Sequence, residues 1–121
     1  MDFTFSEEQR MAAEAVRSLL ADRCAGADLR RLLAAESAFD PDRWRALAEM
    51  GLCGLMVPEA DGGLGLAEPD LVLIAEACGY AGLPEPLVEH AGVAAPLLAA
   101  LDAPAARTWR ERAATGEALV L

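Results

Sequence analysis

The stretch Asp40-Pro41-Asp42-Arg43-Trp44-Arg45-Ala46-Leu47-Ala48-Glu49-Met50-Gly51-Leu52-Cys53-Gly54-Leu55-Met56-Val57-Pro58 decides the fold class. Aspartate followed by proline is a helix start, because proline at the first helical position forfeits no hydrogen bond and brings a φ that is already helical. Trp44, Leu47 and Ala48 share one face, and Gly51 is placed as a left-handed stop, so a helix is expected from about 41 to 50. Leu52 to Pro58 is apolar but short and broken by Gly54. It is expected to run extended through the interior into a glycine-rich turn, Glu59-Ala60-Asp61-Gly62-Gly63-Leu64-Gly65.

Upstream, Ser6-Glu7-Glu8-Gln9 is a capping box, in which hydroxyl and amide satisfy the orphan N–H groups of a helix start. Met11, Ala12, Ala15, Val16, Leu19 and Leu20 follow on one face, and Cys24-Ala25-Gly26 ends the helix. A shorter helix is expected with Asp28 as cap, Leu29, Leu32 and Leu33 inward, and Arg30 and Arg31 in solvent. Downstream, Pro69 to about Cys78 is apolar around nearly its whole circumference, the mark of a buried helix. Leu87 to Leu101 is a further apolar helical run in which Pro96 either kinks the helix or divides it. Pro104 opens the last helix, carrying Trp109, and Thr115-Gly116 closes it. The fold class is therefore all-α, an orthogonal or up-down bundle of about five to six helices. Ala118-Leu119-Val120-Leu121 reads as the opening of a strand that belongs to a missing β domain, or else as an apolar tail tucked against the helices. The domain limits that follow are 1–115 for the helical domain and 116–121 for the strand start, with the natural chain expected to continue past Leu121.

Composition supports one folded domain. The chain has 121 residues, 55% hydrophobic and 25% charged, too apolar for disorder and rich in the helix formers Ala and Leu. The net charge of −10, with arginine as the sole fixed cation, repels a phosphate backbone and argues against nucleic acid. No apolar stretch approaches the roughly 20 residues of a membrane span and no signal peptide opens the chain, so a cytoplasmic protein is expected.

The residues that carry chemistry elsewhere find bland explanations here. Cys24, Cys53 and Cys78 are odd in number and scattered, which fits buried thiols better than disulfides or a metal knuckle. His90 is the lone histidine, so no metal site is expected. Gly62-Gly63-Leu64-Gly65 lacks both the Gly-Lys-Ser/Thr of a phosphate loop and the spacing of a dinucleotide fingerprint. None of Ser6, Ser18 and Ser37 lies in a hydrolase elbow, and there is no Asp-Ser-Leu attachment site of an acyl carrier protein. Glu89 and His90 are adjacent on a helix and so point about 100° apart, one of them towards solvent.

The order of these signals resembles the N-terminal α-helical domain of the acyl-CoA dehydrogenase family. The resemblance rests on Met-Asp-Phe-Thr-Phe-Ser-Glu-Glu-Gln at the start, Trp44 to Leu55, and Val57-Pro58-Glu59 with Gly62-Gly63-Leu64-Gly65. Glu76-Ala77 before Gly79-Tyr80, and Gly116-Glu117, complete it. Asp61 departs from the pattern, since family members commonly carry an aromatic residue before the glycine pair.

The resemblance implies a bacterial flavoprotein with a further β domain and a C-terminal helical domain. Such an enzyme removes two hydrogens across the Cα–Cβ bond of an acyl-CoA thioester, a carboxylate taking the α-proton and FAD the β-hydride. It implies an electron-transfer flavoprotein as electron acceptor and a homo- or hetero-oligomer. In that family the flavin-holding segments and the catalytic carboxylate follow the region present here, so no catalytic or cofactor-binding residue carries over, and this chain alone is expected to bind no FAD and to be inactive. What carries over is the acyl-tail end of the substrate cavity: Tyr80, Leu83, Glu89, His90 and Val93, with Ala81, Gly82, Ala91 and Gly92 leaving room. For each of these, ordinary helix packing is the competing explanation. For the whole chain, the alternative is a non-catalytic helical interaction module or partner subunit.

Overall fold

The computed structural model describes residues 2–121. Among them there are six helices and no strand: α1 (Glu7–Arg23), α2 (Gly26–Leu33), α3 (Pro41–Glu49), α4 (Glu68–Ala81), α5 (87–100) and α6 (Pro104–Ala114). The chain divides into two compact units. One joins the residues up to Ala38 with Pro69–Pro84, the other joins Phe39–Glu68 with Glu85–Leu121.

In the first unit α1 starts on the expected capping box. Ser6 Oγ accepts from the Gln9 amide at 3.2 Å and Gln9 Oε1 accepts from the Ser6 amide at 2.9 Å. The Gln9 side chain also donates to Asp70 Oδ1 at 2.8 Å, tying α1 to α4. Ala13, Val16 and Leu20 of α1 are buried, as are Ile74, Ala77 and Cys78 of α4. Three expectations need correction. α4, expected to be buried all round, covers one face only: Val72 is 50% exposed, and Leu71 and Leu73 are half-buried. Met11, Ala12 and Ala15 are exposed, so only the Val16–Leu20 part of the apolar face of α1 is covered. The second helix begins at Gly26 after Ala25, with no side-chain cap; Asp28 sits inside the first turn and pairs with Arg31, and Leu33 is 88% exposed. As a cap Asp28 would start the helix three residues later; inside the first turn its carboxylate meets the helix dipole and an i,i+3 cation instead.

In the second unit α3 is built as its sequence dictates. The Asp40 carboxylate accepts from the amides of Asp42 and Arg43, and Trp44, Ala46 and Leu47 face inward. The segment after Gly51 is buried as expected but is not extended: Leu52–Gly54 forms a 3₁₀ turn and tight turns continue to Val57. The reason is the glycine loop, which folds back along it. The amides of Gly63, Leu64, Gly65 and Leu66 donate to the carbonyls of Pro58, Gly54, Val57 and Leu55 at 2.8–3.1 Å. A Cβ at Gly63 would stand 2.0 Å from the Val57 carbonyl oxygen, so this approach admits only glycine.

The proline of α5 is accommodated without a break. The helix runs as an α-turn Leu87–Glu89, a π-helical turn His90–Ala94 and an α-segment Ala95–Ala100 with Pro96 in its first turn. Widening the preceding turn relieves the clash between the proline ring and the carbonyl four residues earlier. Ala95 packs with Val57, Ala113 and Ala114 in a core against which Leu98 and Val120 lie.

Candidate functional site

Glu85, between Pro84 and Pro86, enters α5 as a buried anion. Its Oε2 accepts from Arg43 Nε at 2.6 Å, and its Oε1 from Arg43 Nη2 and the Asp40 amide, both at 2.8 Å. Both side chains are almost fully buried, 0% exposed for Glu85 and 3% for Arg43. The forked contact fixes the start of α5 against the start of α3. Sequence reading misses this pair, because the partners lie 42 residues apart and an Arg on a helix looks like a solvated charge.

From that anchored start α5 presents three of the residues singled out by sequence. Glu89 is exposed, His90 has no exposed surface and Val93 is 64% exposed. Val93 borders an apolar groove of about 530 Å³, whose other walls include Leu97, Leu101, Trp109, Leu119 and Leu121. His90 lies beneath that surface. Its Nε2 is 3.0 Å from the Ala113 carbonyl oxygen, its Nδ1 is 3.1 Å from the Val120 amide nitrogen, and the ring stands edge-on to Trp44 with centroids 5.1 Å apart. Burial is the main cause that holds its pKa below the ordinary histidine value, partly opposed by contacts to the backbone of Ala113, Val120 and Cys53.

The other two residues, Tyr80 and Leu83, belong to the first unit. Tyr80 is 94% exposed at the edge of a recess of about 380 Å³ shared with Leu20, Ala21, Cys24, Ala77 and Ala81. Leu83 is half-buried, its amide bonded to the Cys78 carbonyl at 3.0 Å. The five residues thus divide into a pair on one unit and a trio on the other.

The remaining reactive groups are quiet. All three cysteines are buried thiols outside any disulfide. Burial pushes the Cys53 thiol up to about 12 and that of Cys78 to about 11, which leaves both as neutral packing groups. Among the described residues no three His, Cys, Asp or Glu side chains gather in a metal-holding group, and no helix is long and apolar enough to cross a membrane. The glycine loop does not fit a flavin pyrophosphate either, because the amides that would cradle it are already bonded to carbonyls.

Residues 6–117 match the family model described as "Acyl-CoA dehydrogenase, N-terminal domain". The chain belongs to the acyl-CoA dehydrogenase family. It is 36% identical over 118 residues to the acyl-CoA dehydrogenase IpdE2 of Mycobacterium tuberculosis, covering 95% of this chain and 37% of that protein. It is 28% identical over 121 residues to the acyl-CoA dehydrogenase FadE27 of the same organism, covering 99% of this chain and 32% of that one. Among solved structures it is similar to the ChsE4-ChsE5 complex from Mycobacterium tuberculosis, with a TM-score of 0.88 at 28% identity over 98% of this chain and 33% of that chain. The chain spans about a third of the length of each of these proteins.

Proposed function

We propose that this chain is the N-terminal domain of an FAD-dependent acyl-CoA dehydrogenase, where it supplies one wall of the acyl-tail cavity and a docking face for the other domains. The observation that carries this reading is the open apolar groove along α5, whose lining residues Val93, Leu97, Leu101 and Trp109 stay exposed in a chain otherwise well packed there. Of the residues singled out by sequence, Val93 lines this groove and is proposed to meet the acyl tail, whereas His90, with no exposed surface, would act on it only through its neighbours. No catalytic residue is assigned to this chain, and residues 116–121 are proposed to lead into a β domain. The flavin would be held by segments outside this domain, with an electron-transfer flavoprotein as acceptor. A thioester's acyl tail needs no charged partner, and the side chains lining this groove are aliphatic or indole.

A second reading is favoured by one finding: the similar solved structure is a complex of two differently named chains, ChsE4 and ChsE5. This domain would then belong to one subunit of a hetero-oligomer. The test of the pocket is Val93→Phe in the complete protein. The expected result is a fall in kcat/KM for long acyl chains relative to short ones by about tenfold, the worth of one or two methylenes. An unchanged ratio across acyl lengths would count against a pocket role.

A further inference from the structure

The two walls of the α5 groove come from different parts of the chain, and one buried side chain joins them. Val93, Ala94 and Leu97 come from the π turn and the helix after it, whereas Leu119, Val120 and Leu121 come from the segment that leaves α6. That segment takes no regular structure and has few other attachments. The Ala118 amide donates to the Arg112 carbonyl at 3.0 Å, and Trp44 Nε1 donates to the Gly116 carbonyl at 2.9 Å. Gly116 makes the turn into it with φ of 74°, where a Cβ would stand 2.5 Å from that of Ala48. Beyond Ala118 the polar contact to the helices is His90.

The ring has three candidate protonation states, and the distances choose among them. With the proton on Nε2, that nitrogen donates to the Ala113 carbonyl at 3.0 Å and the Nδ1 lone pair accepts from the Val120 amide at 3.1 Å. Both contacts are then satisfied. With the proton on Nδ1, a long 3.3 Å bond to the Val120 carbonyl replaces them, two lone pairs face each other at Ala113, and the Val120 amide meets a hydrogen. The doubly protonated ring has the same clash at Val120 and adds a charge with no exposed surface.

We infer that His90 is a one-tautomer clamp: neutral and protonated on Nε2, it binds the segment 118–121 to α5 and thereby sets the width of the apolar groove. It is a positioning residue, acting through Val120 on the wall formed by Leu119 and Leu121. Placing it at the first residue of the π turn makes geometric sense, because the same turn presents Val93 and Ala94 to the groove from above. The inference concerns this chain alone and holds or fails independently of the flavin and thioester reading.

Nitrogen-15 NMR of the 121-residue chain tests it, reading the histidine tautomer together with hydrogen exchange of the Val120 amide. The expected spectrum shows a neutral ring protonated on Nε2 and a protected Val120. His90→Asn keeps an oxygen near the Nδ1 position and is expected to hold Val120 protection within about threefold, whereas His90→Gln keeps only the Nε2 position and should lose about tenfold, the worth of one buried hydrogen bond. The Leu47 amide, in the core of α3, serves as the internal reference for folding in each variant. A ring protonated on Nδ1 overturns the inference. Equal Val120 protection in His90→Asn and His90→Gln, with Leu47 still protected, overturns it as well.

Discussion

Glu85→Gln removes one negative charge from a site where the positive partner cannot reach water. In the folded chain Glu85 accepts three hydrogen bonds, two from Arg43 and one from the Asp40 amide. The glutamine can still accept at one oxygen, but its amide turns a donor towards a guanidinium that has donors alone. Breaking a buried ion pair from one side costs about 3–5 kcal/mol. Arg43 retains the Asp40 carboxylate at 3.7 Å, a half-exposed contact that offsets about 1 kcal/mol at most. The net loss is about 2–4 kcal/mol, a large part of the ~5–15 kcal/mol by which a domain is stable. Both tryptophans, Trp44 and Trp109, lie in the second unit, so their fluorescence in urea follows the unit that contains the pair. With a slope of about 1–3 kcal/mol/M the midpoint should fall by roughly 1–2 M. The double variant Arg43→Met with Glu85→Leu removes both charges and should recover most of that loss, because well-packed apolar groups replace such pairs at little cost. A midpoint for Glu85→Gln within about 0.3 M of the parent, or a double variant less stable than the single one, would refute this reasoning.

Two glycine substitutions should act in opposite directions. Gly63→Ala must move the Val57 carbonyl and is expected to cost about 3 kcal/mol or more, whereas Gly79, inside α4 with no atom within 4 Å of an added Cβ, should gain about 0.5–1 kcal/mol as alanine; helical circular dichroism in urea checks both. The second unit should also weaken in mild acid through His90. Its folded pKa lies below the ordinary 6.5, so the stabilisation is complete above that value and is lost as pH falls from 6.5 towards the lowered value. His90→Asn cannot titrate, and the stability difference between parent and variant should therefore shrink between about pH 7.5 and pH 5.5; a difference constant over that range would contradict a buried neutral ring.

Local rules were the legible part of this chain. The Ser6 capping box, the Asp40-Pro41 start, the glycine stop at Gly51 and the Pro104 start each depend on neighbours within a few residues, and each stands as its sequence reads. The family resemblance was legible for the same reason, being an ordered set of such signals. Long-range pairings were not. Nothing near Arg43 or Glu85 announces that they meet, and nothing near His90 announces Val120, 30 residues away. The extended reading of Leu52 to Pro58 failed because its apolar character was visible and the carbonyl partners supplied by Gly63 to Leu66 were not. Apolar periodicity also records that a face is greasy without recording what covers it, which is why Met11 and Leu33 were expected inside and lie outside. The candidate pocket residues share that weakness: sequence placed Val93 on a helix and Tyr80 in the turn after one, and only the structure shows that both are open and on different units.

The central claim is that this domain shapes a flavoenzyme's acyl site without holding the flavin or the catalytic base. Visible absorption spectroscopy tests it most directly, on the complete protein and on the 121-residue chain purified alike and then offered acyl-CoA without oxygen. The account predicts a flavin spectrum that bleaches with acyl-CoA in the complete protein and a colourless 121-residue chain. A flavin spectrum from the 121-residue chain, or a complete protein with no flavin that acyl-CoA reduces, would contradict it.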